Sequence, residues 1–370
     1  MDPRHYVAAY LERLYLDAHH DLTPAARGLV HEDVAARPDK YASSEHAQAL
    51  VAYAQCHTRL ITALDRLDDL PDGEFERKRG ELFEEARIEF FKIAENDRLC
   101  IDARLVGNML SNIPLDACIS ELMDLEQRSH EYLAGSVEGF SDEAPQFWTD
   151  RAVAAWLERP GSTSAFDNAP TADERARCAR ERMTVAEPAL IGWLHTLEAI
   201  SQLCLASARY HAASDYARRV RRAAGYPNRA EGTVFLALAR LEDEDGFFTF
   251  AHELEAEAGA DAPRLLDDSP WFLLARTLLL YKLGRRKPAR RALRDFVARC
   301  DGGAFFLLNP TYMTPYLPVR PEPRHPWGRT HQAVWEADGI IADTPDFAAW
   351  AESIEGVYDE SERFADRNGF

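Results

Sequence analysis

The sequence predicts an all-α chain of stacked helical hairpins, and three observations carry that prediction. Three stretches superimpose at a constant offset of 38 residues, with Leu197, Phe235 and Leu273 in register, then Ala199, Ala237 and Ala275, then Leu203, Leu241 and Leu279. The column Ala208, Gly246, Gly284 reads as the turn between paired helices, and Ala213, Ala251, Ala289 places a small side chain at one point of each second helix. Elsewhere apolar residues recur at i, i+3, i+4 and i+7, the period of a helix buried on one face. A repeat of this length is one hairpin that cannot bury its apolar face alone and stacks on its neighbours.

The elements follow in order. Tyr6, Tyr10, Leu14 and Ala18 give a short amphipathic helix over 5–20, and Thr23-Pro24 opens another with proline at an early helical position. From Ser43, the series Ala47, Leu50, Val51, Ala54, His57, Leu60, Ile61, Leu64 continues to a turn at Leu70-Pro71-Asp72-Gly73. Residues 82–97 read as a second hairpin helix, with Cys100-Ile101-Asp102-Ala103 as the handover to the next and Gly107 as a close-packing point. Residues 135–185 are the richest in turn formers and enclose one amphipathic segment, Phe147-Trp148 to Trp156-Leu157, with a hinge expected at 158–172.

After the repeats, residues 301–328 hold six prolines and the aromatics Phe305, Phe306, Tyr312, Tyr316 and Trp327. Proline removes backbone donors, so this stretch is expected to run extended over the surface on aromatic anchors. A helix near 330–342, a turn at Thr344-Pro345, a segment Phe347 to Ile354 and a frayed acidic tail complete the chain. The expected division is therefore 1–140, an N-terminal helical region; 141–185, a turn-rich connection; 186–300, three repeats; 301–356, a proline and aromatic cap; and 357–370, the tail.

The repeat columns resemble the tetratricopeptide repeat (TPR), whose unit is about 34 residues. The order of the helix Ala213 to Val220, the Gly284 hairpin, Asn309-Pro310, Pro315-Tyr316-Leu317, Glu336-Ala337 and Trp350 resembles bacterial TPR proteins related to the suppressor of tumorigenicity 7 family. The resemblance spans roughly 186–352, with an echo at 82–107. It departs from the pattern at Ala208, where the turn glycine is missing, and in first helices that lack the large aromatic. It implies a TPR-like right-handed superhelix with a C-terminal cap and a non-enzymatic interaction role, and it transfers no catalytic residue.

Composition narrows the function classes. The 370 residues carry 46% apolar and 28% charged side chains, ordinary for a packed protein, and a formal net charge of −19. A field of that sign repels phosphate backbones and anionic lipid, so neither nucleic acid nor membrane is the expected partner. Two basic runs stand against it: Arg218-Arg219-Val220-Arg221-Arg222, and Arg285-Arg286-Lys287 followed by Arg290-Arg291. Both fall on second helices and read as solvated outer faces. Met1-Asp2-Pro3-Arg4-His5 opens no apolar segment, and no run of 18 apolar residues follows, so a cytoplasmic protein is expected. Six scattered cysteines without a CxxC pair read as reduced, buried thiols, with no zinc or disulfide framework.

In a TPR array the first helices line the concave groove. His195, Glu198 and Gln202 share one helical face, and their counterparts are Thr233, Leu236 and Arg240, then Trp271, Leu274 and Leu278. A groove graded from polar to apolar suits an amphipathic peptide or helix. The expected function is thus a protein- or peptide-binding adaptor that uses His195, Glu198, Gln202, Thr233, Arg240, Trp271, Leu274 and Leu278, without cofactor or bound metal. The alternative is a metal-dependent sensor or helical enzyme on the His195/Glu198 face, for which two local ligands fall short of the usual three or four. Self-assembly through solenoid ends is a third possibility. Asp17, His19, His20 and Asp21 sit on adjacent positions about 100° apart and do not converge. His31-Glu32 and His130 have no spaced partners, and Cys100 reads as a buried thiol. GxSxG, GxGxxG and GxxxxGK[ST] motifs are absent.

Overall fold

The computed structural model describes residues 2–67, 70–144, 147–148, 187–223, 226, 229–258, 266–313 and 325–370, so the expected hinge at 158–172 and Cys178 lie outside the described residues. Among them the chain is all-α: sixteen helices, two short 3-10 turns and no strand. It divides into two compact units, Met1–Ile200 with Arg219–Asn228, and Ser201–Arg218 with Arg229–Phe370. The expected 186–300 block is therefore shared between them.

In the first unit, α1 (Pro3–Ala18) packs on α3 (Glu45–Asp65), α3 on α4 (Asp72–Asn96), α4 on α5 (Ile101–Met109), and α5 on α6 (Leu115–Ser136), while α2 (Pro24–Ala36) lies against α1. Their starts follow local chemistry. The side chains of Asp2, Thr23 and Ser44 accept from the backbone N–H of Arg4, Ala26 and Ala47, supplying partners that the first helical turn lacks. Pro3 and Pro24, each at the first helical position, fix φ where no N–H is needed. Gly107 is a close-packing point: a Cβ there would meet the Phe91 ring at 3.0 Å. The core gathers Tyr6, Leu11, Leu50, Tyr53, Leu60, Phe90, Ile119 and Leu122 with Ile191, Trp193, Leu194 and Leu197.

The last four of these belong to α7 (Pro188–Ala206), which is apolar almost all round. By length and composition it could cross a membrane, yet 78% of its apolar window is buried inside the protein. Helices apolar on every side are core helices when they are covered in this way.

The second unit contains the hairpin array. α8 (Tyr210–Arg222) follows α7, α9 (Ala230–Arg240) pairs with α10 (Glu244–Ala258), and α11 (Pro270–Lys282) with α12 (Arg286–Arg299). The three intervening turns close identically. Each has one residue at positive φ, Ala208 at 60°, Glu242 at 59° and Gly284 at 72°. In each, that residue's N–H bonds the carbonyl three back (Leu205, Ala239, Tyr281), and the next N–H bonds the carbonyl five back (Cys204, Leu238, Leu280). This is the Schellman closure.

The turn column is thereby corrected. Gly246 lies inside α10, where its N–H is capped by Asp243 Oδ1 at 2.9 Å, and Glu242 takes the left-handed position. The spacings are 34 and 42 residues, and 38 is their mean. In the same register Phe247, not Ala251, matches Ala213 and Ala289.

The C-terminal region also differs from expectation. Residues 303–308 form α13 (Gly303–Leu308), with Phe305 and Phe306 buried, where an extended run was expected. α14 (Gly328–Ala342) packs on α9, α11 and α13, and α15 (Phe347–Glu352) follows. The expected frayed tail is α16 (Val357–Asn368), whose Val357, Ser361 and Phe364 are buried. Its acidic residues face solvent, while Phe364 packs on Phe305, Phe306 and Phe370. An amphipathic period hidden in an acidic composition accounts for the difference.

Candidate functional site

Thr233, Arg240, Trp271, Leu274 and Leu278 do lie on the first helices α9 and α11, as expected, but they do not line an open groove. All except Arg240 are buried. The reason is α14, which covers this face. Arg229 Nη1 donates to Gln332 Oε1 at 2.8 Å, Trp271 Nε1 donates to Glu336 Oε2 at 2.8 Å, Arg240 pairs with Asp343, and Tyr281 Oη donates to the Pro345 carbonyl at 3.1 Å. Trp271 also fills a notch left by Gly232, where a Cβ would come within 2.5 Å of the indole. Polar anchors at both ends of α14 with Ala333, Val334, Ala337 and Ile340 buried between them give the pattern of an amphipathic helix in a groove, supplied by the chain itself.

His195 and Glu198 are likewise buried, at 4% and 6% exposure, within the first unit. His195 Nδ1 donates to Asp102 Oδ1 at 2.8 Å, and Tyr6 Oη donates to Asp102 Oδ2 at 2.5 Å. Glu198 Oε2 accepts from Tyr226 Oη at 2.7 Å. The two residues thus serve different partners and do not act as a joint ligand pair. Among the described residues no group of three or more His, Cys, Asp or Glu side chains is placed to hold a metal ion. His195 Nε2 is buried with no hydrogen-bond partner among the described residues. Gln202, in the second unit, is half-buried.

The electrostatics of this cluster follow from burial. Desolvation works to raise Asp102, but the His195 charge and the hydrogen bonds from His195 and Tyr6 outweigh it, so its carboxyl lies below the usual range. Burial raises the Tyr6 and Tyr53 hydroxyls well above the ordinary phenol value, and the Asp102 charge adds to both. Burial lowers His57, and it pushes the thiols of Cys56 and Cys300 up to about 12. Cys100 is raised in the same way. The five cysteines described are all buried and free, and thiols held so high are poor nucleophiles.

A second buried network lies nearby in the first unit. Glu126 Oε1 accepts from Trp193 Nε1 at 3.0 Å and from Arg219 Nη2 at 2.7 Å, and Arg219 also reaches Asp142 at 3.3 Å. Arg219, read from sequence as part of a solvated face, is therefore partly buried structure. Sequence reasoning missed Tyr6, Asp102 and Glu126. The signal was available in α7: His195, Thr196 and Glu198 stand in a helix otherwise apolar on all sides, and buried polar groups require partners.

The outer face of the array differs. On α12, Ala289, Ala292, Leu293 and Phe296 are buried, whereas Arg286, Lys287, Arg290 and Arg291 are exposed. Arg286 lies over the Tyr281 ring at 3.7 Å. Neighbouring cations are neutralised: Lys282 by Glu242, Arg285 by Glu244, Arg276 by Asp295, and Arg294 by Glu355. Comparison with protein-family models, with curated proteins and with solved structures finds no match.

Proposed function

We propose that the chain is a non-enzymatic, cytoplasmic helical-repeat adaptor, a TPR-like right-handed superhelix over its hairpin array, that binds a protein or peptide. The observation that carries this reading is the thrice-repeated Schellman closure at Ala208, Glu242 and Gly284. Repeated hairpins are quasi-one-dimensional and present extended surfaces, the usual basis of recognition by such arrays. The first interval, 34 residues, is the TPR period. Because α14 covers the first-helix face, the partner surface in this reading lies on the outward sides of the second helices.

The test is capture from native lysate with the full chain, followed by chemical cross-linking. A partner that co-elutes in fixed ratio and cross-links within residues 208–299 supports the reading. A chain that elutes alone at both low and moderate salt overturns it.

A second reading, a small-ligand sensor or helical enzyme, has one observation behind it. Asp102 orients His195 and leaves a buried Nε2 without a partner among the described residues, the arrangement of an oriented imidazole that awaits a hydrogen-bonding group. Thermal shift across divalent ions and small carboxylates tests it, and no shift at millimolar concentration would sink it.

A further inference from the structure

We infer that the exposed basic face of α12 is a docking surface for a short acidic peptide segment of a partner protein. The inference rests on the adaptor reading and names its partner class. Arg286, Lys287, Arg290 and Arg291 stand at i, i+1, i+4 and i+5, so all four share one side of the helix. The burial of Ala289, Ala292, Leu293 and Phe296 fixes the opposite side in the core, so the cationic row points outward by construction.

Lys287, Arg290 and Arg291 have no carboxylate partner among the described residues, although acidic side chains outnumber basic ones by 62 to 43 in the chain. Arg276, Lys282, Arg285 and Arg294, on and around the same helix, each have one. Leaving like charges at i, i+4 (Arg286 with Arg290, Lys287 with Arg291) works against the helix. A cluster retained against its own repulsion, in a chain rich in carboxylates that could neutralise it, fits charge complementarity with an external anion.

The size of the row selects the anion. Five residues of helix rise about 7.5 Å, a span that two or three carboxylates of a short segment cover. A nucleic acid or an anionic membrane presents charge over a far longer track, most of which would face the net −19 field of the rest of the chain. Arginine supplies paired donors for carboxylates, and the Arg286 guanidinium is already oriented by Tyr281.

The test is fluorescence anisotropy with a fluorescein-labelled ten-residue Asp/Glu peptide, using the full chain at about 50 mM salt, where exposed charges are least screened. The triple variant K287E/R290E/R291E should weaken binding at least about tenfold, as three exposed contacts turned from attractive to repulsive imply. The variant R77E/K78E/R87E on α4 makes the same change in net charge and should stay within about threefold. Circular dichroism confirms that each variant keeps its helix.

Absence of peptide binding by the wild-type chain overturns the inference, as does equal loss in both triple variants. Tighter binding of a twelve-nucleotide single strand than of the peptide assigns the face to nucleic acid and also overturns it. A lysate partner retained by the α12 variant removes this surface and leaves the adaptor reading standing; the absence of any co-eluting partner removes the adaptor reading itself.

Discussion

Gly232 and Trp271 show how one missing Cβ permits a buried contact. Gly232→Ala would put a methyl within 2.5 Å of the indole, and overpacking of this kind should lower the unfolding free energy by about 1–3 kcal/mol in urea titration. Gly28→Ala in α2 meets nothing within 4 Å and should be neutral or stabilising by up to about 1 kcal/mol. Tyr6→Phe removes the donor to Asp102 Oδ2 inside the core and should cost about 1–3 kcal/mol by the same measurement. Acid should lower the stability of the first unit in two steps. Burial holds His57 below the ordinary imidazole value, so the unfolded chain takes that proton first; its contribution is whole above about pH 6.5 and declines as pH falls. Asp102, held below its unfolded value, contributes above about pH 4 and loses that contribution on further acidification. Denaturant midpoints at several pH values should show both steps, and His57→Gln should flatten only the first.

The hairpin turns show both what was legible in the sequence and what was not. Helix positions followed from apolar spacing in α1, α3, α4 and the array, because one-sided burial imposes the 3.6-residue period locally. The turn register did not follow, because the left-handed residue is glycine only at Gly284; at Ala208 and Glu242 the surrounding closure imposes positive φ on side chains that resist it. Ala208→Gly and Glu242→Gly should therefore each stabilise by about 0.5–1 kcal/mol, and Gly284→Ala should destabilise by about 1 kcal/mol. The groove assignment failed for a different reason. The face on α9 and α11 was found, yet its cover comes from α14, about 60–100 residues further along, and no local period announces a contact so remote. His195 and Glu198 were also singled out, but Asp102 and Tyr226, which decide what each does, come from elements distant or irregular in sequence.

Across the full chain, the C-terminal residues are structural. Phe364 lies against Phe305 and Phe306, and Phe364→Ala should cost about 3–5 kcal/mol. A chain stopped at Glu355 should lose at least as much and bind a hydrophobic dye, whereas a merely frayed tail would leave both readings unchanged. α14 and the turn that follows it also do something that no single hairpin can: they hold Arg229 and Arg240 at the two ends of α9 and Trp271 and Tyr281 of α11 at once. The stretch from Gln332 to Pro345 reaches those anchors only when α9 and α11 are immediate neighbours. A further hairpin inserted between α9 and α11 would part the two anchor sets, so α14 and the turn after it act as a gauge of how many hairpins can stand between them.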